Sequence, residues 1–250
     1  MKFIKKIALG AAMALTVATS ALASPVNVGG VVWDPDSPLD FSSASVSMRQ
    51  LIAADGSLSG FGIISTINAN PQSVFCPGCQ LTFTFSGYTP IGTATLPTSP
   101  GQVINYTGGV VTVYVNHDNS TFVSETDAST YIASQFGFGQ TFLVLDGHQI
   151  GTSLTTFIGT VNGLTQISGL TGIGVLDVVG GIAASNFDTN TTDDGSDLGF
   201  SASFTHLLSP DARDAVGTGN FDGNTIPEPA SLALFGLALL GVGAVRRRKA

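Results

Sequence analysis

Two stretches of this 250-residue chain carry side chains whose types and spacing could do chemistry: Cys76-Pro77-Gly78-Cys79, and the acidic run from Asp188 to Asp197. The C-x-x-C spacing serves a thiol redox centre, a haem attachment site, half of a zinc site or a local disulfide. Haem attachment requires a histidine next, and Gln80 stands there; a structural zinc site requires two more ligands, and the chain has no other cysteine. A redox pair usually heads a helix whose dipole lowers one thiol pKa, whereas Leu81 onward reads as a strand. The reading that fits best is a disulfide between Cys76 and Cys79, with Pro77-Gly78 at the centre of a type II turn.

The acidic run holds Asp188, Asn190, Asp193, Asp194 and Asp197, the residue types of a calcium loop. Counted from Asn190, however, Thr occupies position 192 and Ser201 stands where the bidentate glutamate of an EF-hand belongs. The pattern fails as an EF-hand and leaves two readings: a less regular Ca²⁺ site, there or at Asp34 and Asp36, and a solvated turn. Asp188, Asn190 and Thr192 also form a glycosylation sequon.

Catalytic groupings are thin. His117, His148 and His206 are far apart in sequence, and Asp146-Gly147-His148 reads as a hairpin turn. Gly56-Ser57-Leu58-Ser59-Gly60 departs from the nucleophile elbow, and the only glutamates are Glu125 and Glu228. No catalytic residue and no cofactor is assigned, and the expectation is a protein that is not an enzyme. Trp33 and four tyrosines could offer a stacking surface for sugars, although a lone Trp in a strand reads first as core. Thr82-Phe83-Thr84 and Thr93-Ala94-Thr95 read as ordinary strand faces.

The elements that would position these residues lie between two specialised ends. Lys2, Lys5 and Lys6 form a basic n-region, Ile7 to Ala21 is apolar, and Ala21-Leu22-Ala23 is a cleavage pattern, so residues 1–23 read as a signal peptide. At the other end Ile226-Pro227-Glu228-Pro229 precedes 16 uncharged residues, Ala230 to Val245, and then Arg246, Arg247, Arg248 and Lys249. As a helix that apolar run spans ~24 Å, a marginal transmembrane length, and the basic end can snorkel to the headgroups on the cytoplasmic side. Everything upstream then lies outside the inner membrane. Pro227 and Pro229 each lack a backbone donor and favour extended geometry, which presents a short segment that a processing enzyme can grip.

The order of Pro227-Glu228-Pro229, apolar run with Gly236, Gly241 and Gly243, and arginine cluster resembles the PEP-CTERM sorting signal of Gram-negative bacteria. The same tail is also labelled an ice-binding protein C-terminal domain, which describes its company and not an activity. The resemblance implies an exosortase, a membrane cysteine transpeptidase-like enzyme, as partner. It also implies transient anchoring at the inner membrane and delivery to the surface or an exopolysaccharide matrix. Gly29-Gly30-Val31-Val32-Trp33-Asp34-Pro35-Asp36-Ser37, Ser59-Gly60-Phe61-Gly62, Phe75 to Thr82, Phe187 to Asn190 and Asp197-Leu198 look like a flocculation-associated subgroup of that family. If so, the protein is a structural or adhesive matrix component of a biofilm or floc. The alternative is a carbohydrate-binding or calcium-dependent adhesin module, and a secreted hydrolase ranks behind both.

Between the ends the composition changes. Of nine Lys and Arg, seven lie in the first 23 residues or in the basic end, leaving Arg49 and Arg213, while 16 of the 17 acidic residues remain, for a formal charge of −14. Such a surface repels nucleic acid, which is excluded as a partner. Ser and Thr supply 48 of the 202 residues from Ser24 to Thr225, a composition that suits an extracellular β-protein. Segments 26–33, 60–67, 80–85, 110–115, 141–145 and 198–204 read as strands, the last alternating Leu198, Phe200, Ala202, Phe204. Residues 43–54 fit a helix or a strand, 124–136 a short helix, and 154–182 buried strands and turns. The predicted fold is all-β, a single sandwich or jelly-roll-like domain over residues 24–208. Residues 209–225 read as a linker, and 226–250 as the sorting signal with its transmembrane helix.

Overall fold

The computed structural model describes residues 25–35, 44–92, 96–165 and 167–226. The signal segment with Ala21 and Ala23, the motif Pro227-Glu228-Pro229, the apolar run and the basic end Arg246 to Lys249 lie outside the described residues.

The all-β expectation holds, and the main sheet solves its edge problem by closing on itself. Strands β1 (Val26–Val28) and β2 (Val31–Trp33) form a hairpin where one strand was expected, because Gly29 and Gly30 take positive φ and turn the chain. The wall follows with β3 (Ala44–Ile52) and β4 (Leu58–Ile64). After a small hairpin of β5 (Thr66–Ile67) and β6 (Asn70–Pro71) come helix α1 (Gln72–Phe75), β7 (Gln80–Pro90), β8 (Val103–Asn116) and β9 (Gln140–Gly147). The chain continues through β10 (Phe157–Val161), β11 (Leu170–Gly180), helix α2 (Ala184–Phe187), β12 (Leu198–Leu207) and β13 (Asp214–Gly223). Antiparallel pairing runs β11-β12-β13-β3-β4-β7-β8-β9 and returns from β9 to β11, an eight-position barrel. Strand β10 also pairs with both β8 and β11, so β9 and β10 fill one gap end to end. At their junction β8 bends through Gly108 and Gly109, both at positive φ, and Thr156 Oγ1 donates to the Gly108 carbonyl at 2.6 Å.

An eight-stranded barrel either fills its interior with side chains or holds one small ligand. Here aromatic rings fill it. Phe157, Gly174, Phe200 and Phe221 stand opposite one another on successive strands, and the Phe200 and Phe221 rings lie 4.7 Å apart between centroids. The Phe157 ring lies over Gly172, where an added Cβ would come within 2.2 Å of it, and meets Tyr88 at 5.4 Å and Tyr106 at 5.9 Å. Large rings on some strands thus require glycine on their neighbours. What remains among Met48, Tyr88, Phe157, Phe200 and Phe221 is a cavity of ≈ 20 Å³, about one water molecule's worth.

Residues 209–225 are not a linker: β13 lies between β12 and β3 in the barrel wall. Its sequence looks like a spacer because the crowded positions demand glycine. A Cβ on Gly217 would come within 2.1 Å of the Ser203 carbonyl, and one on Gly219 within 2.4 Å of the Ser201 carbonyl, leaving Phe221 as the main apolar marker. The folded domain therefore runs on to Ile226. Segment 124–136 forms two short 3₁₀ turns, Ala128–Thr130 and Ala133–Gln135, the first capped by the Asp127 carboxylate accepting from the Ser129 amide. Val123, Tyr131 and Phe136 from this loop cover Phe61 and Ile63 on the outside of β4, making a second small core. Arg49 pins the loop by donating to the Tyr131 carbonyl at 2.6 Å and, bidentately, to Asp214 at 2.9 and 2.6 Å.

Candidate functional site

The barrel end from which the chain leaves β13 is plugged. The β1–β2 hairpin, α1 and α2 bury Val26, Val31, Trp33, Phe75 and Phe187 against it, with the Trp33 ring 5.2 Å from Phe187 and 6.2 Å from Phe142. Trp33 is 2 % exposed and belongs to the core, so it offers no stacking surface. Cys76 and Cys79 form a disulfide around a turn in which Gly78 has φ +78° and the Cys79 amide donates to the Cys76 carbonyl. Gln72 Nε2 donates to the Cys79 carbonyl at 2.7 Å and ties the staple to the start of β7.

The acidic run packs beside this end, and its carboxylates are committed to the fold. Asp197, 2 % exposed, accepts from the amides of Val178 (2.7 Å), Thr189 (2.6 Å) and Asn190 (2.6 Å). Asp194 accepts from the hydroxyls of Thr192 and Ser196, and Asp188 from Asn190 Nδ2, while Asp193 is exposed. The five proposed calcium ligands do not converge, and among the described residues no three His, Cys, Asp or Glu side chains come together as a metal cluster. The loop is an Asp-anchored turn.

His148 is not in a hairpin turn. Asp146 and Gly147 end β9, and the His148 amide continues alongside β11 by donating to the Val175 carbonyl at 2.8 Å. Its Nδ1 lies 2.9 and 2.8 Å from the two oxygens of Asp177, which faces Asp146 directly across the strands. Like charges opposed in this way repel, and a protonated His148 relieves them. Asp177 accordingly raises the His148 pKa, against a smaller opposing effect of burial, and Asp194 raises it further. The group clasps the acidic loop to the wall.

The outer wall carries a feature that reading along the chain missed. Thr160, Thr171, Ser203, Thr218 and Ser47 stand opposite one another on β10, β11, β12, β13 and β3, a hydroxyl row across five strands. At ~4.8 Å per strand the row is about 19 Å long. Beside it Ile173, Ser201 and Asn220 form a shorter second row. Thr171, Ile173, Ser201, Ser203, Thr218 and Asn220 line an open, uncharged groove of ≈ 510 Å³. The only sequence signal for it was polar alternation, Ser201-x-Ser203-x-Thr205 and Thr218-x-Asn220, which becomes a row once register is known.

Immediately after β13 the chain stays on the barrel. Asn224 Nδ2 donates to Thr191 Oγ1 at 2.9 Å, and the Trp33 indole N–H donates to Thr225 Oγ1 at 3.2 Å. The Ile226 amide donates to the Asn186 carbonyl at 2.8 Å while Asn186 Nδ2 donates to the Ile226 carbonyl at 3.3 Å. Residues 225–249 match the family model of the PEP-CTERM protein-sorting motif. No curated protein and no solved structure matches the chain. A signal of this kind directs export, membrane-anchored processing by an exosortase and delivery to the surface or beyond. The chain thus carries a PEP-CTERM sorting signal, which marks its β-barrel as an exosortase-sorted extracellular protein, and the last two described residues, Thr225 and Ile226, are the first two of the matched motif.

Proposed function

We propose that the released barrel is a structural or adhesive component of an exopolysaccharide matrix, of the kind that builds a biofilm or floc in a Gram-negative bacterium, and that it has no catalytic role. The observation that carries this reading is the hydroxyl row with its open groove. It is an open, uncharged surface of donors and acceptors on an otherwise acidic protein, suited to a neutral polysaccharide chain or to matrix packing. The filled interior points the same way, because it leaves the outer wall as the working surface. Calcium-dependent adhesion draws no support from the acidic loop, whose buried carboxylate is occupied by backbone amides. A hydrolase draws none from His148, which is held between Asp177 and the loop.

The test is matrix fractionation. Cells expressing Ser203→Arg/Thr218→Arg, two exposed wall positions, should export and process the protein normally yet lose most of it from the matrix to the medium. Unchanged retention in the matrix would remove the wall from the account.

A further inference from the structure

The chain contains three Asn-x-Ser/Thr tripeptides, at Asn105, Asn119 and Asn190, and the fold treats them differently. Asn105 lies within β8, and the next residue, Tyr106, is 2 % exposed inside the barrel, so this tripeptide cannot be drawn out without undoing the wall. Asn119 opens a 3₁₀ turn in which the Thr121 hydroxyl donates to the Asp118 carbonyl at 2.9 Å and accepts from Asn116, a buried side chain. Around Asn190, no residue from Asp188 to Asp194 belongs to a helix or strand, and none contributes a side chain to the apolar core. What holds this segment is polar: the Thr189 and Asn190 amides donate to Asp197, and the Thr192 hydroxyl bonds to Asp194 and Ser196. Opening it breaks hydrogen bonds but pulls no apolar side chain from the core, which makes it the least costly of the three to present in extended form.

We propose that Asn190 is an N-glycosylation site, modified after export with an oligosaccharide carried on a lipid diphosphate. In the step itself Asn190 Nδ2 forms a bond to the anomeric carbon of the sugar as the C–O bond from that carbon to the diphosphate breaks. The bonding electrons leave with the diphosphate, one amide proton passes to a carboxylate base of the transferase, and no oxidation state changes. The folded loop suits the product. Asn190 is exposed, and its Nδ2 donates to Oδ1 of the exposed Asp188 at 3.3 Å, a bond that the second amide hydrogen can keep once the first is replaced. Position 190 is fixed through its backbone instead, by the amide on Asp197 and a φ of +51° that asparagine tolerates. The loop lies where Asn224 donates to Thr191, and the hydroxyl groove takes none of its lining residues from it, so the glycan and the groove occupy separate surfaces. The inference rests on the export that the sorting signal directs and is independent of the matrix reading.

The test uses the full chain in its producing cells. Released protein is weighed intact and digested, and its peptides are sequenced by mass spectrometry with electron-transfer fragmentation, which leaves a glycan on its residue. The expected result is a sugar-sized added mass on Asn190 in most molecules, with Asn105 and Asn119 unmodified. An unmodified Asn190 in protein that has lost its signal peptide would overturn the inference. Equal occupancy at Asn105 or Asn119 would also overturn it, because selection by loop opening would then be absent. Asn190→Gly, which accepts the positive φ but has no side-chain amide, should remove the whole added mass while the barrel stays folded by circular dichroism. An added mass that persists in this variant places the sugar elsewhere and refutes the assignment. Protein that still carries residues 1–23 shows instead that export has failed, and the inference falls together with that reading.

Discussion

Phe157→Ala should cost the barrel about 3–5 kcal/mol, because Phe157 closes the gap that β10 shares with β9 and its ring fills the space left by Gly172 and Gly174. The side chain is 6 % exposed and meets Tyr88, Tyr106 and Phe200 at centroid distances of 5.4, 5.9 and 6.3 Å. Removing the ring empties about 100 Å³, and at ~24 cal/mol per Å³ the cavity alone accounts for roughly 2.4 kcal/mol, with lost transfer energy making up the rest. Added to the existing ≈ 20 Å³, the space approaches the size of engineered apolar cavities that bind benzene. The assay is urea unfolding followed by fluorescence of Trp33, the chain's single tryptophan, with benzene or xenon binding measured in parallel. The wild type should bind neither ligand inside the barrel, and the variant should bind one with partial recovery of stability. A loss under 1 kcal/mol, or equal binding by the wild type, would refute the argument that the interior is filled to native density.

Other outcomes follow from the same contacts. Gly172→Ala should cost about 1–3 kcal/mol by driving a methyl into the Phe157 ring, and combining it with Phe157→Leu should give a clearly less than additive loss in paired denaturation curves. The raised pKa of His148 gives a defined pH dependence: its contribution is full below the unfolded value near 6.5 and is lost as pH rises through the folded value. Melting temperatures of wild type and His148→Gln should therefore differ more at pH 5.5 than at pH 9, and an equal difference at both would contradict the Asp177 clasp. Arg49→Met should leave Asp214 half-buried without its partner and free the 119–136 loop, costing about 1–3 kcal/mol and adding a limited-proteolysis site in that loop. Reducing Cys76–Cys79 should cost at most about 2 kcal/mol, since the loop it closes is only four residues, and should leave the barrel folded by circular dichroism.

The sequence was most legible where one face of a strand is purely apolar. Leu198-x-Phe200-x-Ala202-x-Phe204 announces β12, and the disulfide turn follows from Pro77-Gly78 and the absence of other partners. The hidden elements are those in which tertiary crowding replaced hydrophobic residues with glycine. Strand β13 read as a spacer because Gly217 and Gly219 are dictated by the neighbouring strands, a requirement that exists only once those strands are paired. Barrel closure was equally invisible, since it depends on β9 and β10 sharing one gap. The acidic run looked like a ligand set because carboxylates that cap backbone amides and carboxylates that hold a cation have the same composition. What separates them is where Asp197 points. The hydroxyl row depends on register in the same way: no two of its members lie near each other in the chain.

The most direct test of the central claim is equilibrium binding of the released protein to exopolysaccharide purified from the producing cells. Because the groove beside the hydroxyl row is lined by uncharged residues, binding should be saturable, change little between 50 mM and 500 mM salt, be indifferent to chelation of calcium, and fall at least tenfold in Ser203→Arg/Thr218→Arg at unchanged melting temperature. Absence of binding, or binding that requires calcium or vanishes with salt, would contradict it.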